Sequence, residues 1–264
     1  MDALPLSGGA AIVTGGASGI GLAIARALAQ RGVDLALADV DAAGLESARA
    51  ELTAQGRRVV TRVVDVSDDE QVRAAALEFD AALGPIHLLF SNAGIDMSGR
   101  LDALTLADWQ RAFGINVFGV VHGLRHFLPL LQRHGRRAHV VNTASGAGFW
   151  MNDAVDMGAY AATKYAVVAI SEALERELAG TPVGVSVLCP GPVATPIADR
   201  STHTTAQMRA SIAAGTPPDA VAQMLLDAMA RGDFFVFTPT GMAPRLQQRH
   251  ERILDALAQV PALV

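Results

Sequence analysis

Thr14-Gly15-Gly16-Ala17-Ser18-Gly19-Ile20-Gly21 stands between the apolar run Ala10 to Thr14 and the alanine-rich segment Gly19 to Arg31, and its reading decides the fold. A short apolar run that ends in a glycine-rich turn and opens into a helix-forming segment is a strand-turn-helix unit. Glycines there let the backbone turn tightly and approach a ligand, and the exposed amides at the helix start favour a phosphate. The spacing is Gly-x-x-x-Gly-x-Gly rather than the commoner Gly-x-Gly-x-x-Gly. In its strand-to-helix setting it points to a dinucleotide pyrophosphate held by Gly15, Ser18, Gly19, Ile20 and Gly21.

Working outward, short apolar runs alternate with longer Ala/Leu/Arg-rich segments, the pattern of parallel strands joined by crossover helices. Strands are predicted at Ala10 to Thr14, Asp34 to Asp39, Arg58 to Val63, Ile86 to Ser91, Ala138 to Thr143, Val183 to Cys189 and Phe234 to Phe237. Helices are predicted at Gly19 to Arg31, Ala42 to Gln55, Asp68 to Leu83, Asp108 to His134, Gly158 to Ala179, Pro218 to Ala230 and Pro244 to about Ala258. Ser67 and Asp68 suit the start of the third helix, while Gly32 and Gly180 suit helix ends. No repeat, linker or low-complexity tract interrupts the series. The expectation is an α/β, Rossmann-type, doubly wound seven-stranded parallel sheet flanked by helices, one domain over residues 1–264. Its ligand crevice would open at the carboxyl ends of the strands.

The 264 residues are 51% hydrophobic, enough for a substantial core, and the formal net charge of −5 gives no electrostatic reason to bind nucleic acid. The basic cluster Arg133, His134, Arg136, Arg137 reads as a solvated helix-to-strand turn. Cys189 is the one cysteine, which excludes an intramolecular disulfide and fits a reducing compartment. Met1 to Gly9 lacks the basic-then-apolar order of a secretory signal, and no run reaches membrane-spanning length. A cytoplasmic protein without membrane contact is expected. His122 and His126 share a helix face but have no third ligand or accompanying Glu of a zinc motif, so no metal site is expected.

Asp39 ends the second strand eighteen residues after Gly21, where the adenosine ribose of a bound dinucleotide would lie. A carboxylate there accepts from ribose hydroxyls and repels a 2′-phosphate, which favours NAD over NADP. Asp41 is the better placed of the two acids to cap the next helix. Lys164 is the only lysine in the chain and follows Tyr160 by four residues, so phenol and ammonium share one helix face. A phenol with an unperturbed pKa near 10 needs about 3–4 kcal/mol of help to act as a base near neutral pH. A cation about 4 Å away supplies ~4 kcal/mol at an effective dielectric of 20. The pair therefore reads as a sheltered acid/base with Lys164 depressing the phenol.

With these residues in view, the chain resembles the short-chain dehydrogenase/reductase family in its compact single-domain branch, nearly over its full length. The likeness rests on the glycine loop Thr14 to Gly21, Asp65-Val66, Asn92-Ala93-Gly94, Asn116, Ser145, Tyr160 with Lys164, and Pro190-Gly191 through Thr195. It implies that Asp65 and Val66 contact the adenine, that Asn92, Ala93 and Gly94 line the cofactor, and that Val193 and Thr195 meet the nicotinamide carboxamide. It also implies catalysis by Asn116, Ser145, Tyr160 and Lys164. Tyr160 would exchange a proton with the substrate oxygen, Ser145 would hydrogen-bond that oxygen, Lys164 would hold the nicotinamide ribose, and Asn116 would keep a water near Lys164. Relatives are usually tetramers, which implies a homo-oligomer with the two long helices as contact surfaces.

Ser145 precedes Tyr160 by fifteen residues, a little more than the family's usual interval. The segment Gly146 to Ala159 is therefore expected as an enlarged loop carrying Phe149, Trp150, Met151, Val155 and Met157. With Met97 and the mobile-looking stretch Ala194 to Ala214, it suggests a hydrophobic substrate pocket formed around Ser145, Tyr160, Met97, Trp150, Met151 and Met157. The leading expectation is an NAD-dependent oxidoreductase that interconverts a small hydrophobic secondary alcohol and its ketone. The alternatives are an NADP-dependent carbonyl reductase, an NAD-retaining epimerase or dehydratase, and a non-catalytic dinucleotide-binding protein. A chain this short lacks the extra substrate domain of the epimerases, and a mere sensor has no use for a proton relay.

Overall fold

The structure, a computed structural model, describes residues 8–151, 156–200, 204–238 and 241–260. Seven parallel strands lie in the order β3-β2-β1-β4-β5-β6-β7: β1 (Ala10–Thr14), β2 (Asp34–Asp39), β3 (Val59–Val63), β4 (Ile86–Ser91), β5 (Ala138–Thr143), β6 (Val183–Cys189) and β7 (Phe235–Phe237). The chain leaves β1 in one direction for β2 and β3 and crosses back beside β1 at β4. That reversal opens a crevice at the carboxyl ends of β1 and β4.

Strand alternation separates two cores. On β1, Ala11 and Val13 face one layer while Ala10 and Ile12 face the other, as the period of two requires. The first layer takes Ile24 and Leu28 of α1 (Gly19–Ala29), Leu45 and Leu52 of α2 (Ala42–Thr53), and Leu225 and Leu226 of α8 (Pro218–Arg231). The second takes Val72 and Phe79 of α3 (Asp69–Leu83), Phe127 and Leu131 of α5 (Gly119–Gln132), and Leu174 of α6 (Gly158–Glu177). Each fully buried Leu, Ile or Phe side chain contributes roughly 1.5–3 kcal/mol. Asp68 caps α3 by accepting from the Glu70 and Gln71 amides, and Asp41 caps α2 by accepting from Gly44 N.

Two stretches differ from the sequence expectation. The predicted helix over 108–134 starts at Leu106 as α4 (Leu106–Phe113), because Thr105 and Asp108 form a reciprocal capping box. It then widens into a π turn over Gly114–Phe118 before continuing as α5. Gly119 packs so closely that a Cβ there would meet Val66 Cγ2 at 2.7 Å. The stretch Ala194 to Ala214 is not a plain loop: it contains a 3-10 turn at Pro196–Arg200 and α7 (Ala206–Ala213), capped by Thr205. A parallel bridge pairs Val193 with Thr216, closing this excursion at its base. The last helix, α9 (Ala243–Ala258), follows β7 as the sequence predicts; it has no buried residue and lays the Arg245 guanidinium 4.8 Å from the Trp150 ring centre.

Candidate active site

The glycine loop is held from two sides. Asp39 Oδ2 accepts from Ala17 N at 3.1 Å, and its Oδ1 accepts from Asp41 N at 3.1 Å. From β4, Asn92 Nδ2 donates to Thr14 O at 3.2 Å and Gly15 O at 3.4 Å, while the buried Thr14 hydroxyl accepts from the Asn92 and Ala93 amides. Gly19 has φ +54 and a Cβ there would stand 3.1 Å from Thr195 Cγ2, so only glycine suits this position. Gly21 lies behind the loop, where a Cβ would overlap the Gly15 carbonyl.

A cleft of about 320 Å³ runs along this loop. Its wall brings together Gly15, Ser18, Gly19, Ile20, Asp39, Asp65, Val66, Asn92, Ala93, Gly94, Tyr160, Lys164, Pro190 and Thr195. Val40, Ile95, Arg111, Ile115 and Thr143 also line it, none of them singled out in the sequence. A narrow glycine cradle at one helix N-terminus, an acid at the end of β2 and a buried lysine deeper in form a donor and acceptor set that fits a dinucleotide. Gly191 and Val193 lie instead on the wall of a second cleft, of about 330 Å³. The two clefts share Ile20, Tyr160, Pro190, Thr195 and Ile197, so Tyr160 stands where they join.

The groups around Tyr160 come from four elements. Ser145 begins the turn after β5; its Oγ accepts from Ala147 N at 3.1 Å and it hydrogen-bonds the Tyr160 phenol. Lys164, one turn along α6 and 3% exposed, donates from Nζ to Thr143 O at 2.9 Å and lies 5.6 Å from the Tyr160 ring centre. Asn116 sits in the π turn; it accepts from Ile95 N at 2.8 Å and donates to Ile95 O at 3.0 Å and Thr163 Oγ1 at 3.1 Å. Asn116 Oδ1 retains one lone pair for a further donor. A Cβ on Gly94 would fall 3.1 Å from Asn116 Oδ1 and 3.5 Å from Lys164 Nζ, which leaves glycine as the residue that fits between them.

The electrostatics of the pair run against the expectation that Lys164 depresses the phenol. Burial pushes the Tyr160 phenol up to about 12, opposed by the Ser145 hydrogen bond and reinforced by the charge of Asp96. Burial likewise pushes Lys164 down to about 8. The ammonium is turned to the Thr143 carbonyl, and desolvation outweighs any help it gives the phenol. The nearby Cys189 thiol is also pushed up to about 12 by burial, which makes it inert.

The second cleft contains Ser145, Trp150, Met157 and Tyr160 of the expected pocket. Two others need correction. Met97 is 2% exposed and packs with Ala112 and Ala159 in the core beneath the site. Met151 is 47% exposed and stands outside the cleft. Phe149 packs against Phe235 and Phe237 of β7, its carbonyl accepting from the Tyr165 hydroxyl, and Val155 lies outside the described residues. The sequence reading missed Asp96, a lone acid two residues past Gly94, and Met242 before α9; Gln207, Met208, Ser211 and Ile212 line the cleft from the stretch Ala194 to Ala214 that was expected there. His122 and His126 serve α3: the first contacts Val66 O at 2.8 Å and the second Asp69 at 2.7 Å. Arg133 of the basic turn pairs with Asp80. No described helix is long and apolar enough to cross a membrane.

Residues 9–206 match the family model described as short chain dehydrogenase. The chain is 36% identical over 247 residues to 1-deoxy-11-beta-hydroxypentalenate dehydrogenase of Streptomyces exfoliatus, covering 92% of this chain and 88% of that relative. It is similar to the crystal structure of a short chain dehydrogenase/reductase from Burkholderia phymatum in complex with NAD, with a TM-score of 0.90, 36% identity and 99% of each chain covered. It is also similar to the apo form of LigD from Sphingobium sp. strain SYK-6, with a TM-score of 0.82, 28% identity, and 97% of this chain and 98% of that one covered.

Proposed function

From the premise that the chain belongs to the short-chain dehydrogenases, we propose that it is an NAD-dependent oxidoreductase that interconverts a hydrophobic secondary alcohol and its ketone. The observation that carries this reading is Tyr160 at the joint of a nucleotide-shaped cleft and an apolar one, hydrogen-bonded to Ser145. In oxidation the Tyr160 phenolate takes the alcohol proton, and in reduction the phenol returns it to the carbonyl oxygen. Ser145 holds that oxygen. Lys164 has three donors and spends one on Thr143 O, so the others serve the nicotinamide ribose. When bound, NAD supplies the hydride acceptor and a positive charge, in a place where any cation lowers a phenol pKa. Asn116 fixes Ile95 and Thr163 on either side of Lys164, with one lone pair left for a water.

Asp39 supports NAD over NADP, since its buried carboxylate borders the cleft at the end of β2. Trp150, Met157, Met208, Ile212 and Met242 support a hydrophobic substrate of the size a 330 Å³ cleft admits. The segments 146–159 and 194–214 would be the substrate loops of one domain spanning residues 1–264. The enzyme is proposed to work as a homo-oligomer in the cytoplasm, where the one thiol, Cys189, stays reduced.

The test follows the absorbance of reduced nicotinamide while the protein is offered NAD or NADP with a panel of hydrophobic secondary alcohols. Tyr160→Phe is expected to abolish turnover while NAD affinity stays within about threefold. Normal turnover in that variant would refute the acid/base assignment.

A further inference from the structure

Asp96 is 5% exposed and lines the second cleft beside Ser145 and Tyr160. Among the described wall residues it is the one charged group of that cleft. Its oxygens accept from the Ser98 hydroxyl at 3.0 Å and from the Thr204 hydroxyl at 2.6 Å, and both partners are themselves buried. Both are neutral. A carboxylate offers about four acceptor positions, and two hydroxyl protons leave part of that capacity unused. Among the described residues no cation pairs with it; burying such a group in an apolar cleft without a counter-charge is costly, so its presence calls for a donor arriving from the cleft side.

We propose that Asp96 is a specificity-determining residue that accepts a hydrogen bond from a second donor group of the substrate. Resting on the functional reading above, this narrows the substrates to alcohols and ketones bearing a hydroxyl or an ammonium close to the reacting carbon, and it excludes those bearing a carboxylate there. Asp96 is near enough for its charge to raise the Tyr160 phenol. A donor placed on Asp96 offsets that charge and eases ionisation of the phenol, whereas a second anion would add to it. Donor recognition and acid/base chemistry are thereby coupled through a single side chain.

The test measures kcat/KM with NAD for four matched aryl secondary alcohols: the parent and its hydroxymethyl, aminomethyl and carboxymethyl analogues at the adjacent carbon. Wild type is expected to favour the hydroxymethyl or aminomethyl member over the parent by at least about tenfold, and to disfavour the carboxymethyl member by about as much. In Asp96→Asn the aminomethyl advantage should shrink to under about threefold and the carboxymethyl penalty should largely disappear. An advantage confined to the aminomethyl member assigns an ammonium substrate, and one shared with the hydroxymethyl member assigns a hydroxyl; either supports the proposal. Wild type that accepts the carboxymethyl member as well as the hydroxymethyl one overturns it, and that result needs no variant to fold. An unchanged ranking in Asp96→Asn overturns it too. If Tyr160→Phe remains active on the panel, the acid/base reading fails and the proposal falls with it; if Tyr160→Phe is inactive while the ranking survives Asp96→Asn, only the role of Asp96 fails.

Discussion

Lys164 is buried as an ammonium whose pKa has fallen to about 8. Below pH 8 the amine is charged in both the folded and the unfolded chain, so the native state bears the full cost, about 3 kcal/mol for a shift of this size. Between pH 8 and its ordinary value of 10.5 the unfolded chain binds more protons, and stability rises with pH. Lys164→Met removes that cost but leaves the Thr143 carbonyl without its donor, a loss of about 1 kcal/mol. Urea unfolding of the cofactor-free protein at pH 7 should therefore show the variant more stable by ~2 kcal/mol, with the gain fading by pH 10.5, although turnover is lost. Asp39 also has two duties: it bonds the Ala17 amide of the glycine loop and it borders the cleft. In Asp39→Ala the ratio of kcat/KM for NAD over NADP should drop by about tenfold or more, with weaker binding of NAD itself. These residues were legible because each is fixed by neighbours close in sequence: a turn, a strand end, or one helical repeat. The pair Asp96 and Met97 was not. Irregular backbone has no period to say which side chain faces in, and hydropathy alone favoured the methionine that the fold instead buries.

β5 and β6 are joined by a polar contact inside the sheet's cover. His139, 5% exposed, bonds Ser186 Oγ at 2.9 Å, and Ser186 donates to the Asp233 carbonyl at 2.7 Å. Burial pushes the imidazole down to about 4, so the native chain keeps it neutral while the unfolded chain protonates near 6.5. As pH falls from 6.5 to 4 the unfolded state gains the proton first, and stability drops by about 3 kcal/mol in total. His139→Gln should flatten this acid limb, as read by thermal melts over that range; a limb of unchanged depth would assign acid lability elsewhere. Element types followed from periodicity, and the strand alternation at Ala10 to Val13 is reproduced side by side in the two cores. The π turn escaped notice because Leu106 to Gln132 reads as one continuous helical pattern, and the extra residue per turn leaves no mark in hydropathy. α7 escaped because it buries only Ile212 and so shows no apolar stripe.

The whole molecule keeps several large apolar side chains on its surface. Phe118 at the end of the π turn is 52% exposed and Val121 of α5 37%; Phe235 and Phe237 of β7 are each 42% exposed. Exposed apolar groups of this size call for cover, which a homo-oligomer would supply. Light scattering behind size exclusion should report a mass several times the 27.5 kDa of one chain, and Phe118→Asp should reduce it to a smaller species. A monomeric wild type would remove the argument. The Val193–Thr216 bridge, reinforced by Ala194 N to Thr216 O at 3.0 Å and Thr216 N to Pro192 O at 2.9 Å, gives the α7 excursion a neck fastened independently of what lies beyond it. Thr195 against Gly19 and Thr204 on Asp96 still tie the first part of the insert to the site, but α7 past them can be exchanged like a cassette. New selectivities are then reached most readily by grafting α7 alone, leaving Thr195, Thr204 and the rest of the site in place.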